Sequence, residues 1–256
     1  MPKTFIFDLD GTIYLGKTPI PGAIETIYTL RSHGHCVLFL TNAATRSRSG
    51  MVEKLSEMGL EVQEKEIYCG SYILAQYIKK NYPKKSVYVV GEIGLIEEFE
   101  KHGIECTEDG AQVVVAGLDR EFSYEKLQMA HKQIRNGAAF IASNKDHIYP
   151  TETGPKPGCG AIVSSIEYSS EKKAYTLGKP SRYAFDIMLE EYSMDKKETY
   201  MVGDRLDTDI MFAKNCGIKS ILVLTGNAKK EDIKEIRPDF VFESVRNIAR
   251  EEKLQS

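Results

Sequence analysis

The sequence has no apolar run that approaches ~18 residues, the length that a membrane-spanning helix requires. No apolar segment of the signal-peptide type precedes the first predicted strand, so we expect neither secretion nor contact with a membrane. The formal net charge of the 256 residues is only −3, and basic doublets are scattered among acidic residues. This balance gives no indication of nucleic-acid binding or of an acidic tail.

Cysteine and histidine are both scarce. The five cysteines are odd in number and widely spaced, and none forms a Cys-x-x-Cys pair. They are typical of reduced, buried thiols, which favours a cytoplasmic location. The five histidines show no metal-ligand spacing, so the sequence predicts neither a histidine-based metal site nor a catalytic histidine.

The first predicted strand ends in two acidic residues. Thr4–Phe7 is a short apolar run, typical of a buried strand, which stops abruptly before Asp8 and Asp10. Side chains two residues apart on an extended segment point the same way, so both carboxylates project from one strand end. Two acids this close repel each other unless they share a proton or a cation. The alternative interpretation of this pair alone is a polar strand cap, with Gly11 supplying the turn.

A second short predicted strand, residues 198–202, is rich in Thr, Tyr and Val and also leads into acidic residues. Asp204 comes shortly after it, and Asp207 and Asp209 follow. Ligands of open parallel sheets bind beyond the carboxyl ends of the strands, so both acidic segments are expected to face one crevice. Carboxylates gathered there require a cation, and ligation by oxygen alone favours Mg²⁺.

Two further segments carry groups that suit a phosphoryl oxygen. A third apolar run, residues 37–40, ends in Thr41, Asn42 and Ala43, whose hydroxyl, amide and backbone N–H groups are hydrogen-bond donors. Lys179 stands between a predicted strand and a predicted helix. Taken singly, these residues are also typical of a helix cap and a solvated surface cation. Four strand ends with complementary chemistry make a shared phosphate site the better interpretation.

Strands alternate with helices along the chain, which predicts an α/β fold with a largely parallel sheet. The stretch from Asn42 to Lys179 is much longer than one crossover helix and a strand, and long structureless loops are uncommon in compact domains. We therefore expect an inserted domain. The predicted division is a first core segment at 1–80, an inserted cap at 81–174 and a second core segment at 175–256.

The four segments resemble the signature motifs of the haloacid dehalogenase-like phosphatase superfamily, in the same order. The motifs here are Asp8-x-Asp10-Gly11-Thr12, Thr41-Asn42, Lys179-Pro180, and Gly203-Asp204 with Asp209. Residues 10–23, 203–210 and 223–226 are similar to the NagD and para-nitrophenylphosphatase-like branch, which has a large α/β cap of the class IIA type. Ala43 departs from the pattern, because many relatives carry a second asparagine there. The departure implies that one side-chain contact to the substrate is absent.

The resemblance implies a Rossmann-like core with a mostly parallel sheet plus an inserted α/β cap. It also implies a Mg²⁺-dependent phosphatase that hydrolyses phosphomonoesters through an aspartyl-phosphate. Asp8 would be the nucleophile, and Asp10 would protonate the departing alkoxide and then activate water. Mg²⁺ would be held by Asp8, by the backbone carbonyl of Asp10 and by Asp204. Asp209 would act directly or through water, and Asp207 is its less favoured substitute.

Three polar residues are expected to hold the phosphate. Lys179, Thr41 and Asn42 would neutralise and orient the phosphoryl oxygens, because catalysis of this transfer is mostly positioning and electrostatics. Thr12 would brace the loop that carries the catalytic acids. The expected partner is a small-molecule phosphate ester. Sugar phosphates, nucleoside monophosphates, glycerol phosphate, phosphoglycolate and pyridoxal phosphate all stay open as substrates.

A polar loop of the inserted domain is the candidate for substrate selection. Residues 143–150, continuing to 157–160, follow a predicted buried strand and resemble the family's substrate-specificity loop. Asn144 and Asp146 are its predicted substrate-binding residues. The alternative is an ordinary polar connection in which Gly and Pro shape a turn. Caps of this type often dimerise in relatives, so a homodimer through the cap is a further expectation.

Two functions of other classes remain as alternatives. A metal-independent dehalogenase-type hydrolase would use Asp8 without Mg²⁺, but Asp10, Asp204 and Asp209 argue against it. A non-catalytic phosphometabolite-binding protein is expected to have lost the charged set, whereas every member is present.

Overall fold

The computed structural model describes residues 2–151 and 153–251. In chain order its strands are β1 (Thr4–Phe7), β2 (Tyr14–Leu15), β3 (Thr18–Pro19), β4 (Cys36–Thr41), β5 (Ile67–Cys69), β6 (Val87–Val90), β7 (Val113–Ala116), β8 (Ala139–Ala142), β9 (Ile148–Tyr149), β10 (Lys156–Pro157), β11 (Tyr175–Thr176), β12 (Thr199–Gly203), β13 (Lys219–Val223) and β14 (Phe240–Phe242). Its α-helices are α1 (Ala23–Ser32), α2 (Arg48–Glu57), α3 (Gly70–Asn81), α4 (Ile93–Lys101), α5 (Tyr124–Arg135), α6 (Cys159–Ser170), α7 (Tyr183–Glu191) and α8 (Met211–Cys216).

The larger sheet has six parallel strands in the order β14-β13-β12-β1-β4-β5. From β1 the chain moves to β4 and β5 on one side, and later to β12, β13 and β14 on the other side. The strand order therefore reverses between β1 and β12, which is where open α/β sheets bind ligands. Every residue of β1 and β12 is buried, as expected for parallel strands that are covered on both faces.

Helices cover this sheet through apolar stripes. In α1 the buried residues Ala23, Thr26, Ile27 and Leu30 recur at three- and four-residue spacing, which places them on one helix face. Most of α3 is buried, because it packs against both β5 and α4. Helix α3 thereby connects the larger sheet with α4, the next helix of the chain.

A second sheet has four parallel strands in the order β11-β8-β7-β6. Its strands and the helices α5 and α6 enclose an apolar cluster of their own, which includes Val90, Val114, Ala130 and Ile166. This unit is the inserted α/β cap. The domain boundaries stay a prediction, but the pairing of one strand crosses the predicted boundary at residue 175. Strand β11 lies in the predicted second core segment, 175–256, and it pairs with β8 of the cap sheet. This contact is non-local, so no local sequence pattern marks it.

The predicted α/β fold, with mostly parallel sheets and an inserted cap, is confirmed. Near the end of the described chain, residues Val245–Arg250 form a 3₁₀-helix. Two antiparallel hairpins, β2–β3 and β9–β10, were not predicted, because two-residue strands are too short to show an alternating pattern. The second hairpin lies inside the predicted specificity loop. Within the described residues, we find no helix with the length and apolar character needed to cross a bilayer.

Candidate active site

Three neighbouring strands of the larger sheet bring polar residues to one edge. Asp8 follows the last residue of β1, Asp204 follows the last residue of β12, and Thr41 is the last residue of β4. Phe7 lies opposite Val202 in the parallel pair β1–β12, and the backbone N–H of Asp8 donates to the Val202 carbonyl at 2.8 Å. The strand ends are therefore level, and the two acidic segments meet at one crevice.

Three buried carboxylates form a cluster in this crevice. One oxygen each of Asp8, Asp204 and Asp209 lies within 4.8 Å of the others. Asp204 Oδ2 accepts hydrogen bonds from the backbone and side-chain N–H groups of Asn227, both at 2.7 Å. Asp204 Oδ1 is buried and has no hydrogen-bond partner within the described chain. A buried, unpaired oxygen beside two further carboxylates is costly, so this set fits a divalent cation with oxygen ligands.

The protonation of Asp204 reflects this crowding. Burial, and after it the charge of Asp209, raises the pKa of Asp204 to about 6. A cation bound to the cluster would favour the ionised carboxyl and oppose this shift. The residues present are therefore suited to a metal ion rather than to an empty acidic pocket.

Lys179 is the positive centre of the cluster. Its Nζ donates to Asp8 Oδ1 at 2.5 Å, to Asp209 Oδ1 at 2.7 Å and to the Leu40 carbonyl at 3.1 Å. Burial alone would lower the pKa of Lys179, but the charges of Asp209 and Asp8 outweigh it and raise the pKa above its usual value. The lysine therefore stays charged and holds one oxygen of Asp8 in place.

The second oxygen of Asp8 is available for chemistry. Asp8 Oδ2 takes part in no hydrogen bond among residues 2–151 and 153–251, and Asp8 lines the cleft. Burial raises the pKa of Asp8, whereas the charge of Lys179 opposes this rise. Lys179 thus favours the ionised form, which is the form that can act as a nucleophile.

Asp10 lies at the mouth of the crevice and is partly exposed. The hydroxyl of Tyr14 donates to Asp10 Oδ2 at 3.2 Å. Burial raises the pKa of Asp10, and the positive charge of Lys54 opposes the rise. A raised pKa brings this carboxyl closer to neutral pH, where a group can both donate and accept a proton.

The turn after Asp10 depends on a glycine. Gly11 has a φ of +87°, and a Cβ at this position would lie 2.5 Å from Asp204 Oδ2. The carbonyl of Gly11 accepts a hydrogen bond from Thr225 Oγ1 at 2.8 Å. The expectation that Thr12 braces this loop stays a prediction: its backbone N–H donates to the Leu9 carbonyl at 3.2 Å, whereas its buried Oγ1 has no partner in the described chain. Further backbone hydrogen bonds and Thr225 also hold the loop.

The side-chain amide of Asn42 binds protein groups, and Asn42 also lines the cleft. Its Oδ1 accepts from the backbone N–H of Lys179 at 2.8 Å, and its Nδ2 donates to the Lys179 carbonyl at 3.2 Å and to Asp146 Oδ2 at 3.1 Å. The amide therefore fixes the backbone that presents Lys179. Its predicted contact with the phosphate stays a prediction, and the hydrogen bonds support a positioning role.

Thr41 and Ala43 line the cleft beside Asn42. The Thr41 Oγ1 accepts a hydrogen bond from the backbone N–H of Ala43 at 3.1 Å. This bond leaves the hydroxyl hydrogen of Thr41 free to point at a ligand. The backbone N–H of Ala43, one of the predicted donors, is already engaged in the present arrangement.

The two predicted residues of the cap loop fasten the cap to the core. Asn144 Nδ2 donates to the Asn42 carbonyl at 2.8 Å, and Asn144 Oδ1 accepts from the backbone N–H of Asp146 at 3.0 Å. The carboxylate of Asp146 lies between Asn42 and Arg205, whose Nη1 is 3.7 Å away. Both residues line the cleft, so their contact with substrate stays a prediction. Asp207 lies outside the cluster, exposed and paired with Arg205 at 2.8 Å.

The site opens into a cleft of about 480 Å³ between core and cap. Four residues near the acidic groups of this cleft were not singled out as site residues: Tyr14, Lys54, Arg205 and Asn227. A signal existed for three of them, because Tyr14 and Arg205 lie within the segments 10–23 and 203–210 that carried the resemblance, and Asn227 directly follows the segment 223–226. Lys54 becomes a functional candidate only through its contacts in the folded chain.

Comparison with known proteins identifies the family. A family model described as haloacid dehalogenase-like hydrolase matches residues 5–105, and one described as HAD-hydrolase-like matches residues 176–248. An acid sugar phosphatase of Staphylococcus aureus (strain USA300) is 38% identical over 246 residues, which cover 95% of each chain. Phosphoglycolate phosphatase 2 of Arabidopsis thaliana is 35% identical over 277 residues, which cover 96% of this chain and 92% of that protein. The chain belongs to the haloacid dehalogenase-like hydrolases.

Solved structures place this haloacid dehalogenase-like hydrolase within the family. A 4-nitrophenylphosphatase from Thermotoga maritima matches with a TM-score of 0.93 and 35% identity, over 98% of this chain and 97% of that chain. NagD from E. coli K-12 matches with a TM-score of 0.87 and 30% identity, over 96% and 98% of the two chains. The predicted membership of the NagD and nitrophenylphosphatase-like branch, with its Rossmann-like core and α/β cap, is confirmed.

Proposed function

We propose that this haloacid dehalogenase-like hydrolase cleaves small phosphomonoesters through an aspartyl-phosphate formed on Asp8. Its class is phosphoric monoester hydrolase, which excludes the dehalogenase and binding-protein alternatives. The observation that carries the proposal is the state of Asp8. One oxygen of Asp8 is held by Lys179, and the other makes no hydrogen bond with the residues that the structure describes. Asp8 also forms an acidic cluster with Asp204 and Asp209, and it lines the cleft.

In the first step, Asp8 Oδ2 attacks phosphorus, and the bond between phosphorus and the ester oxygen breaks. Asp10 donates its proton to the departing oxygen, so that a neutral alcohol leaves. The raised pKa of Asp10 supports this role, because a carboxyl that holds its proton nearer neutral pH is the better acid. Thr41 and Lys179 line the cleft, which supports their proposed role in orienting the phosphoryl oxygens.

In the second step, Asp10, now ionised, takes a proton from a water molecule. The water oxygen attacks phosphorus, the bond to Asp8 breaks, and inorganic phosphate and the Asp8 carboxylate are formed. Asp10 has then regained its proton. One residue serves as acid and then as base, and the hydrogen bond from Tyr14 keeps its carboxyl in position for both steps.

Mg²⁺ is the metal that we propose for the acidic cluster. Asp8, Asp204 and the backbone carbonyl of Asp10 would hold it, and it would neutralise phosphoryl charge. The unpaired Oδ1 of Asp204 supports a direct bond. Both oxygens of Asp209 already accept hydrogen bonds, from Lys179 and from the backbone N–H of Arg205, which supports an action through water or through Lys179.

Small phosphorylated metabolites are the proposed substrates. A cleft of about 480 Å³ suits molecules of the size of a sugar phosphate, glycerol phosphate, phosphoglycolate or a nucleoside monophosphate. The names of the acid sugar phosphatase and phosphoglycolate phosphatase relatives support the same range. A cytoplasmic location and a homodimer through the cap are proposed with it, and size-exclusion chromatography with light scattering tests the dimer.

Removal of the metal ion is expected to abolish the phosphatase activity. After exhaustive treatment with EDTA and gel filtration, hydrolysis of nitrophenyl phosphate should fall to background and return with Mg²⁺. Mg²⁺ should also raise the melting temperature, because a ligand that binds only the folded state stabilises it. Asp204→Asn should require more Mg²⁺ for both effects, whereas the matched control Asp207→Asn should behave as wild type. Full activity after chelation would contradict the metal site.

Replacement of Asp10 is expected to separate substrates by leaving group. Asp10→Asn should lower kcat for alkyl phosphates by ~10²–10⁴-fold, the usual contribution of a general acid. Nitrophenyl phosphate should lose much less in its first step, because nitrophenolate departs without protonation. Steady-state rates and the burst of nitrophenolate check this result. Equal losses of the first step on both substrates would remove Asp10 from the acid role.

A further inference from the structure

The charged groups of the cleft change sign away from its floor. Its acidic residues, Asp8, Asp10, Asp146 and Asp209, all belong to the network described above. Outside this network, every charged side chain that lines the cleft in the described chain is a cation: Lys17, Arg46, Lys54, Arg120 and Lys156. A wall of one sign concentrates the field and attracts ligands of opposite charge. The wall therefore favours a substrate that carries negative charge beyond its phosphate.

These cations differ in how they are engaged. Arg120 is bound to Glu92 through two hydrogen bonds, Nε to Oε1 at 2.7 Å and Nη2 to Oε2 at 2.5 Å. Lys17, Arg46 and Lys156 are exposed, where water and salt weaken their attraction for an anion.

Lys54 on α2 is half-buried, and it forms no ion pair with any carboxylate that the structure describes. It is therefore the cation best placed to bind an anion inside the cleft.

The surroundings of Lys54 place it near Asp10. Its Nζ lies 3.7 Å from the centroid of the Tyr14 ring, and the hydroxyl of the same ring donates to Asp10. One aromatic ring thus separates Lys54 from the acid that protonates the departing oxygen. Burial lowers the pKa of Lys54, and the nearby charge of Asp10 partly offsets this effect. A cation that has lost part of its hydration interacts strongly with an anion that enters its site.

We propose that Lys54 is a specificity-determining residue that binds a second anionic group on the alcohol part of the substrate, a carboxylate or a second phosphate. This inference rests on the proposed function. It narrows the substrate class from phosphomonoesters in general to short ones with an anion close to the ester oxygen. Arg46 and Lys17 extend the positive wall toward solvent and guide such substrates inward.

Three short esters test this proposal. Phosphoglycolate carries a carboxylate where 2-hydroxyethyl phosphate carries a neutral hydroxymethyl group, and ethylene glycol bisphosphate carries a second phosphate. The wild type should have a higher kcat/KM for at least one of the two esters with a second anionic group than for 2-hydroxyethyl phosphate. Lys54→Met, which keeps an unbranched side chain on Tyr14, should reduce that preference by ~10–100-fold, chiefly through KM, as expected for the loss of a charged hydrogen bond. Lys54→Arg should restore part of it.

A control variant and the possible contrary results distinguish a failure of the Lys54 proposal from a failure of the proposed phosphatase function. Lys197→Met, an exposed lysine outside the cleft, should keep the wild-type preference. Equal losses of kcat on all three esters in Lys54→Met would overturn the proposal and show that Lys54 acts through Asp10. A wild type with the same kcat/KM for 2-hydroxyethyl phosphate as for the two esters with a second anionic group would also overturn it, while leaving the phosphatase proposal intact. No hydrolysis of any ester would instead contradict the proposed function.

Discussion

The variant Asp8→Asn is expected to fold normally and to lose turnover, with kcat lower by ~10⁴-fold or more. A carboxamide is a far poorer nucleophile, and the uncatalysed hydrolysis of phosphate monoesters is so slow that no background replaces it. The fold should survive, because the amide oxygen can still accept the hydrogen bond from Lys179. Initial rates on nitrophenyl phosphate, together with thermal melting, check both parts.

A matched control comes from the same face of the molecule. Asp207→Asn makes the same chemical change at an exposed carboxylate that pairs only with Arg205 among described residues, so its rate should stay near wild type. Activity of Asp8→Asn within tenfold of wild type would mean that another group attacks phosphorus.

The variant Lys179→Met is expected to damage both activity and stability. It leaves Asp8 and Asp209 buried without their shared cation, and breaking a buried ion pair in this way typically costs ~3–5 kcal/mol of folding free energy. The activity should fall by ~10²–10³-fold, the usual effect of removing one group that stabilises transition-state charge. Chemical denaturation and kcat at saturating substrate measure the two effects separately.

The control for this variant is Lys197→Met, because Lys197 is an exposed lysine outside the cleft. It should leave the unfolding free energy and kcat within experimental error of wild type. If Lys179→Met kept its full stability, the ion pairs of Lys179 with Asp8 and Asp209 would not contribute to folding.

The acidic centre could be predicted from sequence because its determinants are local. A run of buried residues defines each strand, the strand fixes the direction of the carboxylates, and parallel pairing brings Asp8 and Asp204 to the same edge. Lys179 follows the same logic, since it also stands after a strand. Each of these inferences needs only the residues on one short segment.

The hydrogen-bond partners of the site could not be predicted, because they join distant segments. Asn42 and Lys179 are 137 positions apart, and Asn42 and Asp146 are 104 apart, so nothing in either segment shows that they meet. The sequence therefore assigned Asn42 to the phosphate, whereas its amide holds Lys179 and Asp146. The contact of Thr225 with Gly11 could not be predicted for the same reason, because the two residues are 214 positions apart.

Lys54 could not be identified from the sequence for a different reason. A lysine on a helix is usually solvated, and the sequence around it carries no motif that would single it out. Its role becomes visible only when the β2–β3 hairpin places Tyr14 under its side chain. Two-residue strands are too short to show periodicity, so the element that creates this part of the cleft was itself not predicted.

The proposed mechanism requires Asp8 to carry the phosphoryl group during turnover. The direct measurement is acid quenching of the enzyme with saturating phosphoglycolate or nitrophenyl phosphate, followed by digestion and mass spectrometry of the peptide that contains Asp8. We expect a peptide heavier by one phosphoryl group, with fragment ions that place this group on Asp8. It should accumulate further in Asp10→Asn, where the water that opens the intermediate lacks its base. A wild type and an Asp10→Asn variant that both turn over without phosphorylation, or a phosphoryl group found on any other residue, would contradict the proposed mechanism.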